Sequence, residues 1–348
     1  MLQLDGTLIT VALPSVARGL SVTNASTSSV LAAYFTAYAV TLLPAGALVD
    51  RFGARRVALF GLAVFAIGAA AGALASSLLL LTATRVIQGA GAGLVSPAAL
   101  AGAVSGFPAG RRGTALGVWG ASAGLANLLG PVLGGVLTVL LGWRADWWAL
   151  VPLALLAGFG IVRNLPRGLH EGQPGGARQV LNHVVMAATM VAALTFAVMI
   201  GTFYLGEQYL QDRAGYSALG ASTVLVVVAA LVGAAAPLSG RLVDHSGERR
   251  SALIGFLAVG IGLALLCLPN LALDSPAAIG PLIPVGLGLG MLFVPASRAA
   301  LNATPSAAHG RTSAVLSTGR LLGAAAGVGV AGVAIAAGPS AATVHHAS

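Results

Sequence analysis

The number and length of its apolar runs constrain this chain more than any other feature. A helix needs about 20 mostly apolar residues to cross the roughly 30 Å hydrocarbon layer of a membrane. By that measure the sequence predicts ten full spans and one partial span, and hence an all-α membrane protein. The partial span covers residues 4–18, and the full spans cover residues 28–49, 57–75, 78–104, 113–141, 147–162, 183–205, 218–239, 251–268, 275–297 and 312–338.

The composition excludes a water-soluble domain. Of the 348 residues, 57% are hydrophobic and only 8% are charged, whereas a soluble domain carries roughly 25% charged residues. All 18 basic residues are arginines that lie mostly between apolar runs, which indicates membrane topology and not a nucleic-acid partner. The single cysteine, Cys267, lies in an apolar run, so no intrachain disulfide can form.

The positions of the arginines predict the orientation in the membrane. With a cytoplasmic N-terminus, the inner loops hold Arg51, Arg55, Arg56, Arg111, Arg112, Arg163, Arg167, Arg178, Arg241, Arg249, Arg250, Arg298 and Arg311. The outer loops hold only Arg18, Arg144 and Arg213. Because cytoplasmic loops are enriched in arginine and lysine, we expect a multi-pass plasma-membrane protein with this orientation. An aromatic belt is also predicted at the outer interface, formed by Trp143, Trp147, Trp148, Tyr204, Tyr209 and Tyr216.

A short charged sequence occurs twice. GALVDRFGARR at residues 46–56 and GRLVDHSGERR at residues 240–250 agree at seven of eleven positions, and both fall in short predicted inner loops. Since six predicted spans separate the copies, we expect two similar halves, residues 1–162 and 183–348, joined by a polar cytoplasmic linker at 163–182. Internal repeats of this kind are typical of secondary transporters that bind substrate between the halves.

Each residue type in the repeat has a physical use. Glycines allow close helix approach or a turn with positive φ, and arginines hold the loop at the cytoplasmic side. An acid at the C-terminal end of a helix needs a partner, which a nearby arginine or the N-terminus of another helix would supply. We predict a gating role, against the alternative of a loop that only fixes topology, for Gly46, Asp50, Arg51, Gly53, Arg55, Arg56, Gly240, Asp244, Gly247, Arg249 and Arg250.

The repeat resembles the signature loop G-x-x-x-D-R-x-G-R-R of the major facilitator superfamily. Within it, LDGTLITVALP (residues 4–14) resembles the first-helix motif of the 14-span drug:proton antiporters, with Thr10 in place of the usual Asn. LTATRVIQGAGAG (81–93), GVWGASAGLANLLGPVLGG (117–135) and YLQDRAGYSALGAS (209–222) resemble further motifs of this family, with Ala126 where Gly is common. The resemblance implies a bundle of two six-helix-like halves.

The chain departs from the 14-span pattern in three places. The linker leads straight into the seventh span without two extra helices, no final helix follows, and only four residues precede Asp5. Because the family places this acid within its first helix, we expect that helix to be shortened here. An inactive transporter fragment is therefore one alternative.

Charged groups inside the bilayer are costly and thus candidates for function. The resemblance implies proton coupling by Asp5 and Arg85. The alternatives are a solvated acid at a frayed N-terminus for Asp5 and an arginine that reaches the outer headgroups for Arg85. Arg320 is expected to pair across the cavity or to bind a helix C-terminus, and Glu207 to lie at a water-exposed rim.

Other candidates line the predicted cavity or shape the fifth span. Gln88 and Asn127 are expected, like Arg320, to face the cavity. The fifth span is predicted to be a packing and hinge element, because small residues allow close contact and proline favours a kink. Its candidate residues are Gly117, Gly124, Gly130, Pro131, Gly134 and Gly135.

The leading hypothesis is a proton-coupled exporter that works by alternating access. That its substrates are hydrophobic or cationic small molecules is implied by the resemblance alone. The alternatives are a facilitator or pathway-specific exporter of another solute. A membrane enzyme is disfavoured because the sequence has no H-E-x-x-H motif and its six histidines are scattered. Direct ATP drive is disfavoured because the sequence has no nucleotide-binding loop. We expect no cofactor, no metal and no nucleic-acid partner. The expected partners are the small-molecule substrate, protons and the lipid bilayer, and the chain is expected to be a monomer.

Overall fold

The computed structural model describes residues 1–22, 25–105, 107–165, 180, 182–212, 218–266 and 279–337. Within these ranges the chain forms eleven α-helices of 18 residues or more, and it contains no strand. They are α1 (Leu2–Gly19), α2 (Ser28–Phe52), α3 (Ala54–Ala73), α4 (Leu78–Ser105), α5 (Arg112–Leu141), α6 (Arg144–Asn164), α7 (His183–Asp212), α8 (Ala218–Ser246), α9 (Glu248–Leu266), α10 (Ile279–Asn302) and α11 (His309–Ala337). Short 3₁₀ helices at Ala25–Thr27, Ala109–Arg111 and Ser306–Ala308 precede α2, α5 and α11.

Each predicted span corresponds to one helix, so the predicted all-α membrane fold is confirmed. In the described part of the chain, nine helices are long and apolar enough to cross a membrane. The largest differences lie at helix ends, since α7 and α8 end at Asp212 and Ser246 and not at 205 and 239. The polar residues of the second repeat are therefore helical, which hydrophobic length alone does not predict.

Each of the two repeats contains a single-residue turn. Gly53 separates α2 from α3 with φ 84°, and Gly247 separates α8 from α9 with φ 79°. A side chain at positive φ is strained, so glycine suits both positions. The predicted loops are thus two helix ends joined by one glycine. The surface at these turns is called the Arg-rich face, since Arg51, Arg56, Arg241, Arg249 and Arg250 are exposed there.

The helices pack in two groups. In the first, α4 lies against α2 and α3, α6 lies against α3, and α1 lies against α5. In the second, α10 lies against α8 and α9, and α7 lies against α11. The groups meet where α2 contacts α11 and where α5 contacts α8. Two equivalent helix pairs therefore make the largest part of the interface, and smaller contacts join α4 to α11 and α5 to α10.

Large apolar side chains cover the outside of the bundle. Val139, Leu79 and Leu155 are 82%, 81% and 66% exposed. Water would not tolerate an apolar surface of this extent, whereas lipid tails solvate it. The molecule is a multi-pass membrane protein.

The predicted aromatic belt is wrong for two of its tryptophans. Trp147 is fully buried, and its ring lies against Gly72 of α3. Trp143 is also buried and packs on Gly19 at the end of α1. Only a glycine leaves room for each indole, so these rings pack between helices and do not face the interface. Trp148 is 46% exposed.

Several predicted features lie outside the described residues. These are Cys267, Arg167, Arg178, Arg213, Tyr216 and most of the linker. The side chains of Tyr204, Glu207, Tyr209, Asn127 and Pro131, and the surroundings of Gly124, also lie outside them.

Candidate functional site

A buried ion pair joins the first and fourth helices. Nη1 of Arg85 donates hydrogen bonds to Oδ1 and Oδ2 of Asp5 at 2.9 and 3.0 Å. Gln88 lies one turn further along α4, where its Nε2 donates to Asp5 Oδ1 at 3.2 Å and its Oε1 accepts from Arg85 Nη1 at 2.8 Å. All three side chains are fully buried. The structure therefore brings together three of the residues that the sequence proposed separately.

The second helix completes the surroundings of Arg85. The ring of Tyr34 lies 4.1 Å from Cζ of Arg85, and Nε donates to the carbonyl of Val30 at 3.4 Å. Gly89 allows this close approach, because a Cβ there would lie 2.3 Å from the carbonyl oxygen of Tyr34. Neither alternative from the sequence fits: Asp5 is not solvated and Arg85 points into the bundle.

The arrangement couples the charge of one residue to the position of another. A carboxylate in this environment is stabilised by Arg85, and breaking a buried pair leaves an uncompensated charge. Protonation of Asp5 would remove the negative charge that holds Arg85. Nη2 of Arg85 has no hydrogen-bond partner among the described residues, so the guanidinium retains a free donor.

Asp50 of the first repeat binds the N-terminus of α11. Its Oδ1 accepts from the backbone N–H of Gly310 at 2.7 Å, and Oδ2 accepts from that of Arg311 at 3.2 Å. Nη1 of Arg311 lies 3.4 Å from Oδ2. The unpaired N–H groups and the dipole of a helix N-terminus both favour a carboxylate. Gly46 allows the approach, since a Cβ there would lie 2.6 Å from Ala314 Cβ.

Asp244 of the second repeat binds the N-terminus of α5 in the same way. Its Oδ1 accepts from the N–H of Gly113 at 2.9 Å, and Oδ2 accepts from the N–H and hydroxyl of Thr114 at 2.8 and 2.6 Å. Arg298 lies 3.8 Å from Oδ1. Gly240 matches Gly46, since a Cβ there would lie 2.4 Å from the carbonyl oxygen of Gly113. Each repeat therefore caps a helix of the opposite group.

The arginines of the repeats differ in their surroundings. Nη1 of Arg55 donates to the carbonyl of Leu165 at 2.8 Å and so connects α3 to the end of α6. Arg51 lies 5.1 Å from the ring of Phe52. Arg56, Arg249 and Arg250 are exposed on the Arg-rich face.

The glycines of α5 allow it to pack closely on both groups. A Cβ at Gly117 would lie 2.7 Å from the carbonyl oxygen of Ala236 in α8. Near the other end, a Cβ would lie 2.7 Å from the Leu8 carbonyl at Gly134, and one at Gly130 would overlap Thr7. Gly135 has only an ordinary contact, 4.0 Å from Val11. The helix is unbroken from Arg112 to Leu141.

Arg320 has neither an ion-pair partner nor a helix C-terminus as partner among the described residues. Its Nη2 donates to the hydroxyl of Ser297 at 2.5 Å, and its Cζ lies 4.6 Å from the ring of Phe293, 5.2 Å from that of Trp119 and 5.7 Å from that of Phe196. The sequence analysis missed these four residues. The sequence shows only that the three aromatic residues lie on different predicted spans. It does not show that these spans face each other.

The comparison with known families decides the identity. Residues 1–328 match the profile of the Major Facilitator Superfamily. The chain belongs to the Major Facilitator Superfamily. It is therefore a transporter and not an enzyme, and its resemblance to the drug exporters of the superfamily is confirmed by its relatives.

Three relatives show the range of similarity. An uncharacterized MFS-type transporter of Mycobacterium tuberculosis is 42% identical over 156 residues, which cover 45% of this chain and 27% of that protein. The multidrug resistance protein Stp of M. tuberculosis is 28% identical, covering 99% of this chain and 75% of Stp. The puromycin resistance protein of Streptomyces alboniger is 29% identical, covering 94% and 78%. The chain thus spans about a quarter of the first relative and about three-quarters of the others.

Solved structures share the superfamily fold. The human organic anion transporter MFSD10 gives a TM-score of 0.71 at 17% identity, covering 97% of this chain and 92% of that one. The superfamily transporter FucP in the outward conformation gives a TM-score of 0.70 at 16% identity, covering 96% and 92%. At these identities the likeness shows the fold alone.

Proposed function

We propose that this superfamily member is a proton-coupled exporter of hydrophobic small molecules that works by alternating access. The fully buried pair of Asp5 and Arg85 carries the proposal. Charged residues within a membrane bundle are energetically costly, so their presence indicates a function. A carboxylate whose protonation releases an arginine is a device that can link proton uptake to a change of conformation.

Proton binding and helix movement are connected through Arg85. When Asp5 is protonated, Arg85 loses its counter-charge and is free to turn toward the cavity or a bound substrate. Since Arg85 also contacts Tyr34 and Val30 of α2, its movement changes the contacts between α2 and α4. Protonated and deprotonated forms thus favour different packings, which is the requirement for a coupled transporter.

The two aspartates of the repeats form the proposed cytoplasmic gate. Asp50 and Asp244 each join a helix end of one group to a helix N-terminus of the other on the Arg-rich face. Opening toward that face requires both sets of hydrogen bonds to break. The positive-inside distribution supports a cytoplasmic N-terminus in the plasma membrane, with residues 1–162 and 183–348 as the moving halves of a monomer and 163–182 as their linker.

The substrate class follows from the relatives. Their names concern multidrug resistance, puromycin resistance, and tetracenomycin C resistance and export. They support a drug-like hydrophobic substrate. The resemblance also implied cations, but Arg85 already pairs with the buried Asp5, so a cationic substrate would have to displace Arg85 to reach this acid.

Accumulation of puromycin in cells that express the chain tests the proposal. Expression should lower accumulation, and both a protonophore and Asp5→Asn should abolish the difference. Asp146→Asn is the matched control, because Asp146 lies on α6 and accepts a hydrogen bond from Thr138 outside the proposed site. Efflux that persists with the protonophore would contradict proton coupling and favour a facilitator.

A further inference from the structure

A second arginine lies inside the bundle, and no described residue supplies its counter-charge. Arg320 is 5% exposed, and its Nη1 has no hydrogen-bond partner among the described residues. In that part of the chain the ion pairs involve Asp5, Asp50, Asp244 and Glu248, and none of them includes Arg320. A buried cation without an anion is strongly disfavoured, so its presence requires a functional reason.

Asp146 and Glu207 do not supply the missing charge. Asp146 accepts a hydrogen bond from Thr138 at the far end of α5. Glu207 lies eleven residues beyond Phe196 on α7, and eleven residues of helix span about 16 Å. Among the residues that the structure describes, Arg320 therefore has no acid at the level of its aromatic partners.

Three aromatic rings take the place of an anion in this conformation. The centroids of Trp119 and Phe293 lie 5.4 Å apart, and those of Phe196 and Phe293 lie 6.0 Å apart. The negative faces of such rings attract a guanidinium, although more weakly than a carboxylate does. Gly120 leaves room for this cluster, since a Cβ there would lie 2.8 Å from Phe293.

The rings come from both helix groups. Phe196 and Phe293 lie on α7 and α10 beside Arg320 of α11, whereas Trp119 lies on α5 in the first group. Separation of the groups would therefore remove Trp119 and leave one side of the guanidinium uncovered. Trp119 also lines a cavity of about 310 Å³ between α4 and α5, together with the apolar residues Phe107, Ala115 and Val118.

We propose that Arg320 binds an anionic group of the transported molecule when Trp119 moves away. The substrates of this chain then include apolar or aromatic molecules with one negative charge, such as a carboxylate. The apolar body replaces the ring of Trp119, and the charge takes the free donor of Arg320. This inference rests on the proposed exporter function and names its substrate class.

Equilibrium binding to the purified full chain tests the inference with three probes of one apolar body: pyrenebutyrate, its neutral amide and pyrenebutylamine. Wild-type protein should bind the carboxylate at least about tenfold more tightly than the amide, as expected for a buried hydrogen bond to a charged group. Arg320→Met should remove this preference and leave the affinity for the amide within about twofold. Arg320→Lys should retain part of it. Arg144→Met is the matched control, because Arg144 lies 4.2 Å from the ring of Trp143 outside the interface.

Thermal unfolding separates a binding role from a structural one. Replacing an unpaired buried charge with an apolar residue of similar volume removes a desolvation penalty. Arg320→Met should therefore unfold at the same temperature as wild type or higher. Pyrenebutyrate should raise the unfolding temperature of wild type and not that of Arg320→Met.

Three results would overturn the inference. The wild type could bind the carboxylate and the amide with equal affinity, or could fail to bind the carboxylate up to its solubility limit. Arg320→Met could also lose the same factor of affinity for both probes. Binding at equilibrium needs no proton gradient. A chain that exports puromycin with proton coupling but shows one of these results would refute only the role of Arg320. A chain that shows the carboxylate preference without proton coupling would refute only the coupling.

Discussion

Asp5 and Arg85 lie 80 positions apart in the sequence, yet Arg85 Nη1 is 2.9 Å from Asp5 Oδ1 and both side chains are fully buried. The pair connects α1 to α4 by charge inside a bundle whose other contacts are mainly apolar. Stability and proton coupling are therefore expected to depend on the same two residues.

Removing Arg85 should destabilise the chain more than removing both partners. Arg85→Met leaves Asp5 buried without a cation, which we expect to lower the free energy of unfolding by about 3–5 kcal/mol. The double variant Asp5→Asn/Arg85→Met should recover most of this loss. Thermal unfolding in detergent compares the three proteins. Equal losses in the single and double variants would show that the charge pair is not the cause.

The caps on the Arg-rich face should control its accessibility. Asp50→Ala leaves the N–H groups of Gly310 and Arg311 without this acceptor, and each such loss is expected to destabilise the closed form by about 1–3 kcal/mol. In a Cys267→Ser/Ala314→Cys background, maleimide should label the buried position 314 faster in Asp50→Ala. Asp50→Asn keeps one acceptor oxygen, so its labelling rate should lie between those of the background protein and Asp50→Ala. Unchanged labelling rates would contradict a gating role.

The close contact of α5 with α1 should make stability sensitive to replacement of Gly134. Gly134→Ala places a Cβ 2.7 Å from the carbonyl oxygen of Leu8, so it should destabilise the chain. Gly160→Ala is the matched control, because no atom lies within 4 Å of its Cβ. Alanine is favoured over glycine in a helix by about 0.5–1 kcal/mol, so the control should be neutral or stabilising. Opposite signs in thermal unfolding are expected, and equal effects would contradict the close approach.

Backbone strain alone should make the replacement of Gly247 destabilising. Its φ is 79° and no atom lies within 4 Å of an added Cβ, so Gly247→Ala should destabilise through conformation only. The expected loss is about 1–2 kcal/mol. Gly110→Ala also meets no atom within 4 Å and has no positive φ, so it should show no such loss. A neutral Gly247→Ala would mean that the turn adapts without strain.

The helices could be predicted from the sequence because membrane thickness sets their length. The ends of α7 and α8 could not, since Asp212 and Ser246 lie in polar turns of helix beyond the hydrophobic length. The need of Asp50 and Asp244 for partners followed from the helix dipole. That each partner is a helix N-terminus of the opposite group depends on the tertiary arrangement.

For the buried charged residues too, the sequence predicts the candidates but not their partners. Burial cost alone made Asp5, Arg85 and Arg320 candidates for function. Their partners lie on other helices, so neither the ion pair of Asp5 nor the aromatic cluster around Arg320 has a local signal. The burial of Trp147 was missed because the glycine that admits it, Gly72, lies on another helix.

The most direct test of the central claim compares two transport modes in proteoliposomes that contain the full chain. One assay follows puromycin uptake driven by an imposed pH gradient, and the other follows exchange of labelled for unlabelled puromycin without a gradient. If Asp5 carries the coupled proton, Asp5→Asn should lose gradient-driven uptake and keep exchange, because exchange needs no net proton movement. Gradient-driven uptake by Asp5→Asn at the wild-type rate would contradict the role of the Asp5–Arg85 pair.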